Sequence, residues 1–202
     1  MLDPVRFIAN LSTGEMGYAV AREARRRGYP VTLISGPTAL IPPQGVQLVP
    51  VVTVHDLDLA LQKHFPKTDV LVMAAAVGDF IPVARSPKKI PRKKKWRITF
   101  RQSPDLIRKF AAQKAGRLVI GFSLETQNWL KRSAKKRTRK NLDGIVANYY
   151  STKHNPFGQN RVHAALIDDT KTQVLRFNSK REFARKLIDW IGRLAFERST
   201  KL

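Results

Sequence analysis

The chain has 202 residues, of which 43% are hydrophobic, so it can bury one sizeable core but is short for two domains of ordinary size. It contains no cysteine, which excludes disulfides, thiolate metal ligands and a thiol nucleophile and fits a reducing compartment. The 38 Lys and Arg residues outnumber the 15 Asp and Glu residues, and the net charge of +23 calls for anions: nucleic acid, nucleotides, phosphorylated metabolites or an acidic membrane surface. No segment resembles a signal peptide or nears the roughly 20 apolar residues of a membrane helix, so we expect a cytoplasmic protein.

The chain alternates short apolar strands with helical patterns, which favours a mostly parallel α/β sheet flanked by helices over a bundle or a sandwich. An apolar face over 16–24 predicts the first helix, and two strands follow at 30–34 and 46–50. Thr53 is placed to cap a helix that runs to Leu61. A buried strand over 69–76 comes next.

The second half continues the alternation and then changes character. Near the end, two apolar runs flank Asp168-Asp169-Thr170-Lys171, which predicts an antiparallel hairpin followed by a closing helix. We expect one domain over residues 1–202. The predicted elements are a strand at 96–100, a helix at 104–114, a buried strand at 118–122, a basic helix at 127–140, a strand at 144–148, the hairpin strands at 162–167 and 173–176, and a helix at 182–194.

The strongest functional signal is the end of the strand over 69–76. The apolar run shrinks there to alanine and glycine and closes on Asp79, and small residues at the carboxyl end of a parallel strand let a ligand approach the main chain. The next segment, from Pro82 to Lys95, holds three prolines and seven cations, so it is too polar and too broken to be a core element. It predicts a mobile basic flap at about 78–95 over an anionic ligand; the alternative is a solvated surface loop.

Two helix starts are weaker candidates. Residues 10–17 offer a helix amino end, two hydroxyls and two glycines, which could hold a phosphate or a carboxylate, but Ser12 or Thr13 could equally be an ordinary cap. The run Ser103-Pro104-Asp105 predicts chiefly a helix start, with a cap followed by proline at the first helical position.

The basic helix is a third candidate. Arg132, Lys136 and Lys140 recur every four residues and share one face, where like charges destabilise a helix by roughly 0.2–0.5 kcal/mol per pair. A bound anion would relieve that repulsion. A second stripe of Lys131, Lys135 and Arg139 leaves simple solvation open. The four histidines have no metal-ligand spacing, and Glu125 could approach a magnesium ion or merely face solvent.

The order of these motifs resembles that of bacterial phosphopantothenate-cysteine ligase, also called phosphopantothenoylcysteine synthetase, the ligase domain of the bacterial bifunctional coenzyme A biosynthesis protein. The resemblance extends from Asp3 to the final helix. The motifs that carry it are Asp3-Pro4-Val5-Arg6-Phe7-Ile8-Ala9-Asn10, Ser12-Thr13-Gly14-Glu15-Met16-Gly17, Ala75-Ala76-Val77-Gly78-Asp79, Lys89-Ile90, Ser103-Pro104-Asp105, Gly121-Phe122 with Glu125-Thr126, and Lys136 through Lys140-Asn141-Leu142-Asp143 to Ile145-Val146-Ala147-Asn148.

The resemblance implies a Rossmann-like fold, usually dimeric, and an enzyme of coenzyme A biosynthesis. In that family CTP and magnesium activate the carboxylate of 4′-phosphopantothenate as an acyl-cytidylate with release of pyrophosphate, and the amine of L-cysteine then displaces CMP. A separate or fused phosphopantothenoylcysteine decarboxylase is the implied partner, and its flavin is not expected in this chain.

The resemblance also implies roles for individual residues. Asn10 and Lys89 are the implied catalytic residues: Asn10 binds and turns over the acyl-cytidylate, and Lys89 is the flap lysine that closes over this intermediate. The metal ligands and the base that deprotonates the cysteine amine are not identified. The implied nucleotide-binding residues are Met73, Ala74, Ala75 and Asp79 for base and ribose, Pro104, Asp105, Leu106, Ile107 and Phe122 for further contacts, and Lys89, Lys136 and Lys140 for phosphates.

The sequence departs from the family at three places. A strand and a glycine-rich loop normally precede the Asp-Pro-Val-Arg motif, whereas only Met1 and Leu2 precede it here, so we expect the first family strand to be missing. Phe80-Ile81 replaces a usual Tyr-Arg pair, and Pro91 interrupts the lysine run. The alternatives are an inactive truncated relative, an ATP-using ligase, and a basic nucleic-acid-binding module, although no nucleic-acid motif or aromatic interleaving supports the last.

Overall fold

The computed structural model describes residues 1–92, 95–151, 155, 157 and 161–200. The helices are α1 (Glu15–Arg26), α2 (Val54–His64), α3 (Leu106–Ala112), α4 (Trp129–Arg139) and α5 (Lys180–Ser199), with a 3₁₀ turn at Phe65–Lys67. The strands are β1 (Thr32–Ser35), β2 (Gln47–Pro50), β3 (Val70–Met73), β4 (Phe80–Pro82), β5 (Phe100–Gln102), β6 (Leu118–Glu125), β7 (Gly144–Tyr149), β8 (Val162–Ile167) and β9 (Thr172–Phe177).

The main sheet has the order β3-β6-β7-β8-β9. Strands β3, β6 and β7 are parallel, and β8 and β9 join them antiparallel as the predicted hairpin. Alternate residues of β6 face opposite layers: Ile120 packs with α1 and α5, and Val119 packs with α2 and α3. A mostly parallel sheet between two helical layers confirms the predicted fold class.

Glycine allows the closest approach in this core. A Cβ atom on Gly144 of β7 would lie 2.3 Å from Cη2 of Trp190, so the indole of α5 rests directly on the strand. The indole Nε1 donates to Asp168 Oδ2 at 2.8 Å, and Arg193 Nη2 reaches the same oxygen at 2.5 Å. Burial alone would raise the pKa of Asp168, but hydrogen bonds from Trp190, Thr170 and Lys171 lower this pKa well below its usual range. The end of β8 is thereby tied to α5.

Strands β1 and β2 form a separate parallel pair that has no hydrogen-bonded neighbour in the main sheet. The carboxyl ends of β1 and β3 nevertheless lie at one edge, because residues 10–13 bridge the loops that follow them. Asn10 Nδ2 donates to Val77 O at 3.1 Å, and Thr38 Oγ1 donates to Thr13 O at 3.3 Å. Within the described part of the chain no strand precedes α1, and Asp3 and Arg6 form only an isolated bridge.

The segment around the predicted flap differs from expectation. The predicted strand at 96–100 is instead β5 at Phe100–Gln102, since its partner β4 has three residues and the ladder stops at Pro82 opposite Phe100. The predicted cap of the next helix was also wrong. Asp105 caps α3 by accepting from Arg108 N, whereas Ser103 donates to Gly78 O at 2.5 Å and Pro104 lies outside the helix.

None of the helices in the described ranges combines the length and apolar character that crossing a bilayer requires.

Candidate active site at the carboxyl edge of the sheet

A continuous cavity of about 3030 Å³ runs between β1 and β3 and includes the carboxyl edge of the sheet. Its walls come from strands and loops that are far apart in the sequence, so the fold is what assembles them. Every predicted site residue except Lys89 lines this cavity: Asn10, Met73, Ala74, Ala75, Asp79, Pro104, Asp105, Leu106, Ile107, Phe122, Lys136 and Lys140.

The segment after β3 presents main chain rather than side chains. Met73 is buried at the strand end, whereas Ala75 and Asp79 are exposed. The amide of Asn10 binds this segment at Val77 O. A ligand can therefore reach backbone groups here as the small residues predict, and the Asn10 amide binds only two residues before the Asp79 carboxylate.

Lys136 of α4 and Lys140, which directly follows this helix, also line the cavity. Lys136 Nζ lies 2.5 Å from Glu125 Oε1, and Arg132 Nε lies 2.6 Å from Glu125 Oε2. Lys140 Nζ lies 3.1 Å from Asp105 Oδ2. The repulsion expected along this face is thus relieved by carboxylates of the chain itself, which a stronger polyanion could displace.

Glu125 does not face solvent, which was one of the two alternatives that its sequence position suggested. It is only 5% exposed, and its carboxylate pairs with Arg132 and Lys136. Burial would raise the pKa of Glu125, but Lys136 and Arg132 lower this pKa below its usual value. Sequence reasoning missed this pairing because it joins the end of β6 to residues one and two turns into α4.

The second stripe of α4 is separate from the cavity. Lys131, Lys135 and Arg139 are exposed and do not line it. We call these three residues the outer stripe, and they are solvated. On the other stripe, Lys136 and Lys140 line the cavity.

The amino end of α1 contributes main chain and no regular cap. Gly14 is the cap residue, with φ of 76°, and no side chain caps the helix from that position. Ser12 Oγ and Thr13 Oγ accept from Gly14 N and Glu15 N at 3.4 Å, which makes local turns of residues 12–15. The predicted cap at Ser12 or Thr13 was therefore wrong.

Lys89 stands apart from the other predicted site residues. It is exposed and borders a second cavity of about 500 Å³, whose other lining residues are Arg6, Ile90, Pro91, Arg92 and Trp96. The flap cations Lys93 and Lys94 lie outside the described residues. In this structure the flap lysine and the α4 lysines thus face different spaces.

Metal-binding clusters are absent from the part of the chain that the structure describes: no three His, Asp or Glu side chains come together there. Asp105, which lines the cavity, pairs with Lys140, and Glu125, which does not line it, pairs with Lys136.

Relatives of known name share both sequence and fold with the chain. It is 35% identical over 195 residues to the coenzyme A biosynthesis bifunctional protein CoaBC of Escherichia coli strain K12, an alignment that covers 94% of this chain and 48% of that protein. The chain thus spans about half the length of the curated relatives it matches.

Solved structures agree with this relationship. The crystal structure of the C-terminal domain of CoaBC superposes with a TM-score of 0.82 at 31% identity, over 97% of this chain and 90% of that one. A structure of a Cab2 H337A mutant in complex with phosphopantothenate-cysteine shares the fold, with a TM-score of 0.77 at 16% identity over 98% of this chain and 82% of that one.

The predicted resemblance is confirmed by the sequence model of the DNA/pantothenate metabolism flavoprotein C-terminal domain, which matches residues 1–194. The chain belongs to this family.

Proposed function

We propose that the chain is a ligase of coenzyme A biosynthesis that joins 4′-phosphopantothenate to L-cysteine at the expense of CTP. A carboxylate oxygen of the acid attacks the α-phosphorus of CTP, the bond to the β-phosphate oxygen breaks, and pyrophosphate leaves. The cysteine amine then attacks the acyl carbon of the acyl-cytidylate, loses a proton and expels CMP. The relatives are named for coenzyme A biosynthesis, and the CTP-dependent chemistry is the finer part of the proposal.

The observation that best supports this proposal is that one cavity is lined both by the small residues after β3, at 74–79, and by Lys136 and Lys140. The small residues are suited to a base and a ribose, and the lysines are suited to phosphates. A triphosphate bound there would displace Glu125 from Lys136 and Asp105 from Lys140. Hydrogen bonds to charged groups contribute about 1.5–3 kcal/mol each when desolvated, so a polyphosphate can outcompete single carboxylates.

Asn10 and Lys89 have proposed roles in the chemistry. The Asn10 amide group lies at Val77 O, beside the small residues proposed to bind the nucleotide, where it can bind the carbonyl of the acyl-cytidylate. Lys89 acts when the flap brings its ammonium group to the polyphosphate and stabilises the charge that develops as pyrophosphate leaves.

Magnesium is proposed as the ion that accompanies the CTP triphosphate. Mg²⁺ usually keeps several waters and binds through substrate phosphates with one or two carboxylates. The described residues offer no cluster of three ligands, so the ion would be held chiefly by the triphosphate rather than by an all-protein site. The lysines carry most of the phosphate charge on the protein side.

A homodimer and a phosphopantothenoylcysteine decarboxylase, fused or separate, are the proposed protein partners. The match of this chain to about half of a bifunctional relative supports the second.

Pyrophosphate release with CTP, 4′-phosphopantothenate and cysteine tests the proposal. We expect release that requires the acid and CTP, occurs without cysteine in a first turnover, and is slower with ATP. No release with either nucleotide would overturn the ligase proposal and favour an inactive relative. Equal rates with the two nucleotides would overturn only the preference for CTP.

The exposed outer stripe of α4 supports one competing function, binding of a polynucleotide. Its affinity would fall steeply with salt, show no nucleotide specificity, and depend on Lys131, Lys135 and Arg139. Competition by CTP at stoichiometric concentration, with no effect of substitutions in the outer stripe, would reject it.

A further inference from the structure

A buried carboxylate outside the candidate site has no role in the proposed chemistry. Asp3 is 0% exposed, although it lies near the start of the chain in a segment without regular structure. Its Oδ1 accepts from Val5 N at 3.0 Å and Arg6 N at 2.9 Å, which closes a tight turn. Its Oδ2 accepts from Arg6 Nε at 2.8 Å and Arg6 Nη2 at 2.5 Å.

The same two side chains reach across to the flap. Ile90 N donates to Asp3 Oδ2 at 3.1 Å, and Arg6 Nη2 donates to Ile90 O at 2.5 Å. Both main-chain groups of one flap residue are therefore held by an ion pair that is 84 to 87 positions away in sequence. A backbone bond from Ser86 N to Leu2 O at 3.0 Å adds a second attachment.

The guanidinium of Arg6 also contacts an aromatic ring. It lies 5.0 Å from the centre of the ring of Trp96, which follows the flap in sequence. Ile90 of the flap and Trp96 thus both contact one arginine, which Asp3 orients. Arg6 hydrogen bonds keep Asp3 ionised: they are the main reason that its pKa lies well below its usual range, although burial opposes them.

We propose that Asp3 and Arg6 form a latch that anchors the flap main chain at Ile90 and so gives the adjacent Lys89 a fixed point from which it reaches the polyphosphate. Neither residue touches the reacting atoms; both are positioning residues for the flap. This inference rests on the proposed function for the role of Lys89, but the attachment of the flap stands apart from it.

Asp3→Asn tests the latch, because it keeps the size of the side chain and removes the charge that orients Arg6. Asp169→Asn is the matched control, since Asp169 is an 80% exposed carboxylate that pairs with Arg137 away from the flap. Hydrogen exchange of the Ile90 amide and single-turnover formation of acyl-cytidylate are measured in both full-length variants.

In Asp3→Asn we expect the Ile90 amide to exchange about tenfold faster or more, as one charge-assisted hydrogen bond weakens. We expect the acyl-cytidylate rate constant to fall by about tenfold to a hundredfold through misplacement of Lys89, while the KM for CTP stays within about twofold. The amides of β6 and β7 should exchange at unchanged rates, which a general loss of stability would not allow. Asp169→Asn should resemble the wild type in every measurement.

Unchanged exchange at Ile90 in Asp3→Asn would overturn the latch. Faster exchange with an unchanged acyl-cytidylate rate would overturn its positioning role. If Asp3→Asn does not fold, Arg6→Lys is used in its place. Lysine keeps the positive charge but lacks the planar guanidinium that binds Asp3 and Ile90 O together. Unchanged exchange of the Ile90 amide in Arg6→Lys would equally overturn the latch. A wild type that forms no acyl-cytidylate would contradict the ligase proposal and remove the catalytic consequence of the latch, and the exchange result would still decide the attachment.

Discussion

Strands β3 and β6 are similarly apolar and hydrogen-bond to each other, yet they differ in burial. Val119 and Ile120 of β6 are 0% exposed, whereas Val70, Leu71 and Val72 of β3 are only partly buried. The difference follows from neighbours: β6 lies between two strands, and β3 has β6 on one side and the large cavity on the other. The closed side of the molecule, β6 to β9 with α5, is built for packing, and the open side, β1 to β3 with the loops after them, holds the candidate site.

The largest effect should come from breaking the buried polar anchor of the closed side. Asp168→Asn leaves Trp190 and Arg193 without their anionic acceptor; because the Arg193 side chain is 38% exposed and the Asn oxygen can still accept, we expect a loss of about 1.5–3 kcal/mol of unfolding free energy. The neighbouring Asp169→Asn removes only an exposed pair and should cost less than about 1 kcal/mol. Urea denaturation of both variants measures the contrast, and equal losses would contradict it.

The same anchor predicts a pH dependence. The pKa of Asp168 is lowered in the folded protein, so its contribution to stability is complete above the unfolded carboxyl pKa of about 3.9 and is lost as pH falls below that value. Between about pH 5 and pH 2, the wild type should therefore lose more stability than Asp168→Asn. Parallel curves for the two proteins would show that Asp168 is not responsible.

A pair of glycine substitutions sharpens the comparison between the two sides. Gly144→Ala on the closed side forces a Cβ against the rigid Trp190 ring and should destabilise the protein by about 1–3 kcal/mol. Gly17→Ala lies in α1 beside the cavity, where a Cβ meets nothing within 4 Å, and should stabilise the helix by about 0.5–1 kcal/mol. Thermal unfolding reports both signs; destabilisation by Gly17→Ala would mean that the open side is packed more tightly than the structure describes.

The smallest expected effects concern the two stripes of α4. Lys136→Ala and Lys140→Ala are each expected to weaken CTP binding by about 1 kcal/mol, because their ammonium groups are partly exposed and screened. Lys131→Ala and Lys135→Ala remove the same charge from the outer stripe and should leave CTP binding unchanged at moderate salt. Isothermal titration measures the CTP affinity of all four variants. An equal loss of affinity in both stripes would mean that the effect depends on net charge alone.

Elements set by local sequence were predictable. Thr53 and Asp56 form a reciprocal capping box within four residues, and the hairpin of β8 and β9 follows from two apolar runs around one turn. The small residues after β3 drew attention to the cavity edge from sequence alone, whereas the individual site residues came from the family resemblance and stay predictions; the structure places all of them except Lys89 around one cavity.

The features that escaped prediction depend on contacts between distant segments. The start of β5 is set by its partner β4, the separation of β1 from β3 is set by sheet pairing, and Glu125 finds its lysine only when α4 folds back over β6. Asp3 is the clearest case: an acidic residue ordinarily faces solvent, whereas Asp3 is buried and accepts a hydrogen bond from the distant flap residue Ile90.

Rapid-quench detection of radiolabelled acyl-cytidylate is the most direct test of the proposed activation of 4′-phosphopantothenate by CTP. The protein is mixed with α-labelled CTP and 4′-phosphopantothenate, and cysteine is added after one turnover. We expect a labelled adduct that forms without cysteine and then decays to CMP as the amide product appears. Lys136→Ala should form less of this adduct, and Lys135→Ala should form a normal amount. Absence of the adduct while CTP and the acid are both present, or CTP cleavage that does not require the acid, would contradict the proposed activation.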